Sequence, residues 1–468
     1  MTIRFFCALL FGKMAFFFLR LVGKGGTAAP GLVAETIDPK FLSHARGLFQ
    51  HIILITGTNG KTTTAALVGS ILSHTKSSYL HNASGSNMRR GIISTILSSR
   101  RMRNNAGKPS FTFGVFECDE AALPAIAQEL RPDILAFNNL FRDQLDRYGE
   151  VDAVRKKWQA LMRALPRTTH IILNADDPGV ASLAAAAPAA QHISYFGLCA
   201  EAFAAYAADN ATHATASLAD FSRCPQCGGA LPYAHHSFAH LGEYHCVQCG
   251  FHRPTPQLCA TDIVQHDHRM SFVLRDADQS AAIHLPMIGV YNSYNFLSAA
   301  SIAQVAGFSL SVIQAAADAF KPVFGRQEEI DYHGKRLIIT LVKNPVGFSQ
   351  ALAAFSQDQS AHDLIFMLND NIADGTDVSW IWDADLSALR GRLVNIAIGG
   401  TRKEDLAVRL KYEGVGDPKR YVLCDSFAAV LDCAAHAPSG DVLIFPTYTA
   451  LIGLKNHLGT IGYDQFWQ

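Results

Sequence analysis

A chain of 468 residues is longer than one hydrophobic core usually serves, and its 49% hydrophobic content is ample for two or three domains. Its 40 basic and 40 acidic side chains cancel, which removes the electrostatic footprint of a protein that grips nucleic acid through its phosphates. Of ten cysteines, four fall in two Cys-x-x-Cys pairs and the rest stand singly in apolar surroundings, a usage typical of a reducing compartment, so a cytoplasmic protein is expected.

The chain opens with Phe5-Phe6-Cys7-Ala8-Leu9-Leu10-Phe11 and Met14-Ala15-Phe16-Phe17-Phe18-Leu19, interrupted by Lys13 and followed by Arg20 and Lys24. This falls short of a clean membrane span. A helix packed on the domain, a helix lying in the membrane interface, and an anchor or signal cut near Ala28-Ala29 all stay open. Gly23 to Pro30 reads as a glycine-rich linker.

Next comes Ile52-Ile53-Leu54-Ile55-Thr56, an apolar strand running into Gly57-Thr58-Asn59-Gly60-Lys61-Thr62-Thr63. Glycines at 57 and 60 let backbone N–H groups crowd a polyphosphate, and the following helix offers its positive end. Lys61 adds a point charge, and Thr62 is placed to hold Mg²⁺. The spacing Gly-x-x-Gly-Lys-Thr is shorter than the general phosphate-loop pattern, but the strand before it and the alanine-containing helix after it predict an ATP cradle.

Candidate strands at Ile52–Thr56, Thr112–Phe116, Ile134–Phe137 and Ile171–Leu173 alternate with helical segments at Thr63–His74 and Val151–Leu165. That alternation predicts a doubly wound, mostly parallel sheet with its chemistry at the strand C-terminal ends. Glu117-Cys118-Asp119-Glu120 emerges at that edge; Glu117 with Thr62 suits Mg²⁺, and a solvated acidic turn is the alternative.

After an alanine-rich, weakly patterned stretch from Ala200 to Ala219, Cys224-Pro225-Gln226-Cys227 and Cys246-Val247-Gln248-Cys249 each precede a glycine. A lone pair of this kind also fits redox chemistry. Two knuckles joined by a short hairpin predict a closed, structural Zn²⁺ site, with His245 and His252 as bystanders. A further change near Gly325 starts strands at Arg336–Leu341, Leu364–Leu368, Leu393–Ile398, Arg420–Leu423 and Val442–Phe445, a separate C-terminal α/β domain.

Gly57–Thr63, Glu117-x-Asp-Glu, Asp143-Gln144-Leu145-Asp146-Arg147-Tyr148-Gly149 and Asn174-Ala175-Asp176-Asp177-Pro178 follow the order found in Mur ligases, which this region resembles. The cysteine insertion, Lys343-Asn344-Pro345-Val346-Gly347 and the run Asn369 to Trp380 resemble the MurT family, the synthetase subunits of lipid II isoglutaminyl synthase. The resemblance implies an α/β chain in three parts. These are an N-terminal helix and linker (1–45), a Mur ligase-type ATP-binding domain (46–324) with a four-cysteine zinc ribbon inserted at about 221–253, and a C-terminal α/β domain (325–468) that meets a glutaminase partner.

It further implies ATP-dependent amidation of the D-glutamate α-carboxylate of the lipid II stem peptide, through an acyl phosphate. Ammonia would come from a GatD-like glutamine amidotransferase, whose catalytic histidine Asp377 would orient. By the same resemblance Arg326 faces phosphate, and Asn174, Asp177, Asn292 and Asn295 line the nucleotide. Departures from the wider Mur pattern are Gln144 and Lys343 in place of histidines, with no assured carbamylated lysine beyond Lys156 or Lys157 as candidates. The short stretch ahead of the ATP domain leaves no room for a nucleotide-sugar domain, which fits a lipid-borne substrate. An amino-acid-adding ligase and a non-catalytic ATP-binding scaffold are the rival readings.

Overall fold

The computed structural model describes residues 2–21, 28–83, 86–99, 109–143, 151–203, 220–266, 268–322, 325–356, 363–390 and 395–463. The helices α1 (Ile3–Leu21), α2 (Ala29–Ile37) and α3 (Phe41–Ala45) precede strand β1 (Phe49–Thr56). The N-terminal stretch forms a helix packed on the domain. Phe5, Ala8 and Leu9 are buried, and the Phe5 ring lies 5.1 Å from that of Phe41. No described helix is long and apolar enough to cross a membrane.

β1 is followed in sequence by α4 (Lys61–His74), β2 (Tyr79–His81), α5 (Arg89–Ser98), β3 (Phe111–Glu117), α6 (Leu123–Leu130), β4 (Ile134–Phe137), α7 (Val151–Ala164), β5 (His170–Asn174) and β6 (Ile193–Leu198). A hairpin of β7 (Tyr233–Phe238) and β8 (Leu241–Tyr244) stands apart from the main sheet. β9 (Leu258–His266), β10 (Arg269–Arg275) and β11 (Ser280–Leu285) complete it, in the order β11-β10-β9-β6-β5-β4-β1-β3-β2. Pairing is parallel from β2 to β9 and antiparallel at β10 and β11.

A strand buried on both faces feeds two cores, because successive side chains point to opposite sides. In β1, Ile53 and Ile55 join one core with α4, α8 (Val290–Val305) and α9 (Leu310–Asp318). Ile52 and Leu54 join the other with α1, α3, α5, α6 and α7. The sheet is thereby covered on both sides, and its strand C-terminal ends stay clear.

The C-terminal domain has β12 (Arg326–Tyr332), β13 (Lys335–Thr340), α10 (Pro345–Ser356), β14 (Asp363–Met367), β15 (Ile396–Gly399), α11 (Lys403–Glu413), β16 (Val422–Leu423), α12 (Phe427–Ala435), β17 (Asp441–Pro446) and α13 (Tyr448–Thr460). Strand order is β12-β13-β17-β14-β15-β16, so the last strand lies in the middle.

Several elements differ from the sequence expectation. β2, β6, β9 to β11 and β12 were not expected, and the strand expected at 420–423 shrinks to two exposed residues, Val422 and Leu423. The cysteines outside the knuckles are not all solitary. Cys199 and Cys259, brought together by the β6–β9 pairing, form a disulfide, and Cys424 lies 3.7 Å from Cys433, sulfur to sulfur.

Candidate nucleotide site and the cysteine hairpin

The loop between β1 and α4 needs its glycines for two different reasons. Gly57 has φ +141° with Asn138 and Asn139 where a Cβ would go, and Gly60 has φ +82° with the Asn295 Oδ1 1.8 Å from that position. The loop is then tied down by its neighbours. Asn59 N–H donates to Asn139 Oδ1 (2.9 Å), and Asn139 Nδ2 returns a bond to the Asn59 carbonyl (3.0 Å). Thr58 Oγ1 donates to the Phe141 carbonyl and accepts from the Phe141 N–H.

Lys61 opens α4 and is buried, its Nζ donating to Glu120 Oε1 (2.7 Å) and the Gly57 carbonyl (2.6 Å). Thr62 Oγ1 donates to Glu117 Oε2 at 2.7 Å. Glu117 ends β3, is fully buried, and is fixed by Asn82, which accepts from its N–H and donates to its carbonyl. Burial pushes the Glu117 carboxyl up, against the pull of Thr62, Lys61, Arg326 and Lys343. Its Oε1 has no hydrogen-bond partner among the described residues. A buried, unsatisfied carboxylate oxygen beside a threonine hydroxyl fits Mg²⁺, which takes one or two carboxylates and completes its shell with phosphate and water.

Across the gap, β12 supplies Arg326, whose buried Nε likewise lacks a partner among the described residues. Burial lowers its pKa, with Glu117 opposing. Lys343 Nζ donates to Asp143 Oδ2 at 2.9 Å, and the pair holds Lys343 up and Asp143 down despite burial. Asn344 Nδ2 donates to Asn59 Oδ1 (2.9 Å), so the C-terminal domain touches the phosphate loop directly.

Two adjoining clefts result. One is lined by Lys61, Thr62, Asp119, Asp143, Arg326 and Lys343, with Thr58, Asn59 and Gly60 on its floor. The other shares Asn59, Gly60 and Arg326 and adds Thr63, Asn292 and Asn295 of α8 together with the rings of Phe141, Phe238, Tyr291 and Tyr294. A polar, cationic cleft opening into an aromatic one matches a nucleotide's phosphates and base.

Most of the predicted residues therefore converge; Gly57, Glu117, Asn174 and Asp177 line neither cleft, though Gly57 and Glu117 hold Lys61 and Thr62, which do. Asn174 Nδ2 donates to the Asn138 carbonyl and its Oδ1 accepts from Asp176 N–H. Asp177 accepts from the N–H groups of Leu140 and Val180. Both bond to backbone at the end of β5. Lys156 and Lys157 are exposed on α7 and line neither cleft, and Gln144 lies outside the described residues. Asp377 is exposed, with Oδ1 accepting from Ser379 N–H at 2.8 Å; hydrogen bonding from the Ser379 side chain, and then from its N–H, holds its pKa down. The sequence reading gave no role to Glu120, Asn82 or the four rings. Glu120 lay within a motif already singled out, and Tyr291 and Tyr294 stand beside Asn292 and Asn295; the others carried no local signal.

The four knuckle cysteines converge, with all their sulfurs within 4.8 Å of one another. Cys224–Cys249 and Cys227–Cys246 are 3.6 and 3.5 Å apart, near the roughly 3.8 Å edge of a tetrahedron built on zinc–sulfur bonds of about 2.3 Å. Gly228 and Gly250 adopt φ +77° and +76° to turn each knuckle, and their N–H groups donate to the Cys224 and Cys246 carbonyls. The donor set and its geometry fit Zn²⁺.

The hairpin is wired into the nucleotide cleft. Its turn carries Phe238 and Leu241 into the aromatic lining, and Ser237 Oγ lies 2.8 Å from the Tyr294 hydroxyl. Tyr294 in turn donates to buried Asp176 Oδ2 (2.7 Å), which Arg253, four residues past Cys249, engages through Nε (2.6 Å to Oδ1). The Asp176 carbonyl accepts from Gly242 N–H in β8.

Comparison with known proteins agrees with this architecture. Residues 55–226 match the Mur ligase middle domain and residues 341–451 the MurT ligase C-terminal domain. The chain is 33% identical over 462 residues to the lipid II isoglutaminyl synthase (glutamine-hydrolyzing) subunit MurT of Streptococcus pneumoniae, covering 98% of each. It is 31% identical over 440 residues to that of Staphylococcus aureus, covering 94% of each. Among solved structures, a pseudomurein peptide ligase type C from Methanothermus fervidus aligns with TM-score 0.64 at 20% identity over 88% of this chain and 79% of that one. The Thermotoga maritima MurF ligase in complex with ADP aligns with TM-score 0.60 at 14% identity, over 92% and 85%.

Proposed function

The chain belongs to the MurT family of Mur-type ligases, and from that membership and the cleft geometry we propose that it amidates the D-glutamate α-carboxylate of the lipid II stem peptide in peptidoglycan synthesis. A carboxylate does not react with ammonia unaided. Its oxygen attacks the γ-phosphorus of ATP, the bond to the β-γ bridging oxygen breaks, and ADP leaves an acyl phosphate. Ammonia then attacks the carbonyl carbon; phosphate departs and a proton is lost, leaving the amide.

Each residue has a part in this. The loop amides and Lys61 position the phosphates, and Lys61 and Arg326 stabilise charge on the transferring phosphoryl group. Lys61 is already desolvated and aimed by Glu120 and the Gly57 carbonyl. Thr62 and Glu117 would hold Mg²⁺, which would compensate charge on the phosphate oxygens. Asn292 and Asn295 hold the nucleotide from α8, and the rings of Phe141, Phe238 and Tyr294 shelter its base. The four cysteines would hold Zn²⁺ in a closed, structural site.

Free ammonia is scarce at neutral pH, so a GatD-like glutaminase supplies it in a heterodimer, and exposed Asp377 completes that partner's Cys-His-Asp arrangement. The observation that supports the reading best is a pair of buried groups with no hydrogen-bond partner among the described residues, Glu117 Oε1 behind Thr62 and Arg326 Nε. Purified protein given lipid II, ATP, Mg²⁺ and ammonia is expected to release ADP in step with amide. ADP release that needs an amino acid in place of ammonia would point to an amino-acid-adding ligase.

A further inference from the structure

The outward face of α1 is apolar along its whole length. Ile3, Phe6, Leu10, Met14, Phe17 and Leu21 follow the three- and four-residue steps of a single helical stripe, and all are exposed, Ile3 by 86% and Leu21 by 87%. Phe11 and Phe18 widen it. A helix on the surface of a globular protein normally turns polar residues outward. Here the helix cannot roll to hide the stripe, because its opposite face is already engaged. Phe5, Ala8 and Leu9 are buried against the domain, and a Cβ on Gly12 would lie 2.7 Å from Leu97 of α5.

The sequence here carries charge of one sign. Residues 1–34 contain Arg4, Lys13, Arg20 and Lys24, and the first acidic residue is Glu35. An apolar stripe about 28 Å long on a cationic helix has the features of a helix lying in the headgroup boundary. The stripe is also joined to the phosphate cleft. Ser86, Asn87 and Met88 form part of that cleft's lining, and α5, which they lead into, packs on α1 and α2. We propose that α1 is a fixed docking face for an anionic bilayer surface, holding the mouth of the phosphate cleft toward lipid. Stripe and charge suffice for docking; the advantage to catalysis rests on the lipid-borne acceptor proposed above.

Co-sedimentation of the full-length protein with phosphatidylglycerol–phosphatidylcholine vesicles, against phosphatidylcholine alone, tests this directly. Wild type is expected to pellet with the anionic vesicles and to be released by high salt. The exposed triple substitution Phe6→Ser, Leu10→Ser, Phe17→Ser is expected to weaken partitioning about tenfold or more, with an unchanged thermal midpoint as the folding control. With a water-soluble stem-peptide acceptor the triple variant keeps wild-type ADP release, and with acceptor embedded in vesicles it loses most of it. Wild type remaining in the supernatant, or the variant pelleting as well as wild type, overturns the proposal. So does light scattering that shows a wild-type dimer broken by the triple substitution and no vesicle binding. Vesicle binding without amidation of any acceptor sinks the proposed reaction and leaves the docking face standing.

Discussion

The corner between β1 and α4 and the loop from Asn369 to Asp383 both carry charged residues assigned to chemistry, yet they are built in opposite ways. In the corner Lys61, Thr62 and Glu117 are buried and bound to one another's neighbours. In the loop Asp370 is tied to Thr401 and Arg402, and Asp374 accepts from Thr449 N–H, while Asp377 is left exposed with one bond to the next turn. A site that works on a substrate it encloses must exclude water and hold its groups rigidly. A residue that works inside another protein must instead be presented, on a loop anchored at its flanks.

That contrast is breakable. Lys61→Ala should abolish ammonia-driven and glutamine-driven amidation alike, by about a thousandfold or more, because it removes charge stabilisation of the phosphoryl transfer itself; ADP release with each nitrogen source checks it. Asp377→Asn should cut only glutamine-driven activity, by about a hundredfold or more, since an acid that orients a histidine matters only where that histidine works. Equal loss with ammonia would place Asp377 in the synthetase step and erase the distinction between the two regions.

Smaller effects sharpen it. Metal removal by a thiol-directed chelator should lower nucleotide affinity about fivefold to tenfold, measured by calorimetry with a non-hydrolysable analogue, because Phe238 and Leu241 stand on the cysteine hairpin. Gly60→Ala should cost about 1–3 kcal/mol of stability, from a strained φ and the Asn295 contact, lowering the thermal midpoint by a few degrees. An undisturbed midpoint would mean the corner is less rigid than its bonding implies.

The corner was legible in the sequence because a fully buried strand, a glycine-turned loop and Lys-Thr leave few other structures to adopt. The knuckles were legible because two close pairs of thiols at that spacing suit one tetrahedral ion. Harder to see was anything set by long-range pairing. β10 alternates exposed and buried residues cleanly, but Arg269-Met270-Ser271-Phe272-Val273-Leu274-Arg275 has apolar neighbours at 272–274 that blur the period. Asn174 and Asp177 show an ambiguity of chemistry: an amide that braces a strand end looks, in one dimension, the same as one that faces a ligand. Lys61–Glu120 and Lys343–Asp143 join positions 59 and 200 residues apart, beyond the reach of any local pattern.

Asp176 gathers the arginine after the second knuckle, the tyrosine of α8 and the backbone of β8 onto one side chain and its own carbonyl. Such a hub makes the insertion heritable only as a package. Without the insertion, Asp176 would lose Arg253 and the Gly242 N–H and stay buried with only Tyr294 and the Leu198 N–H to hold it.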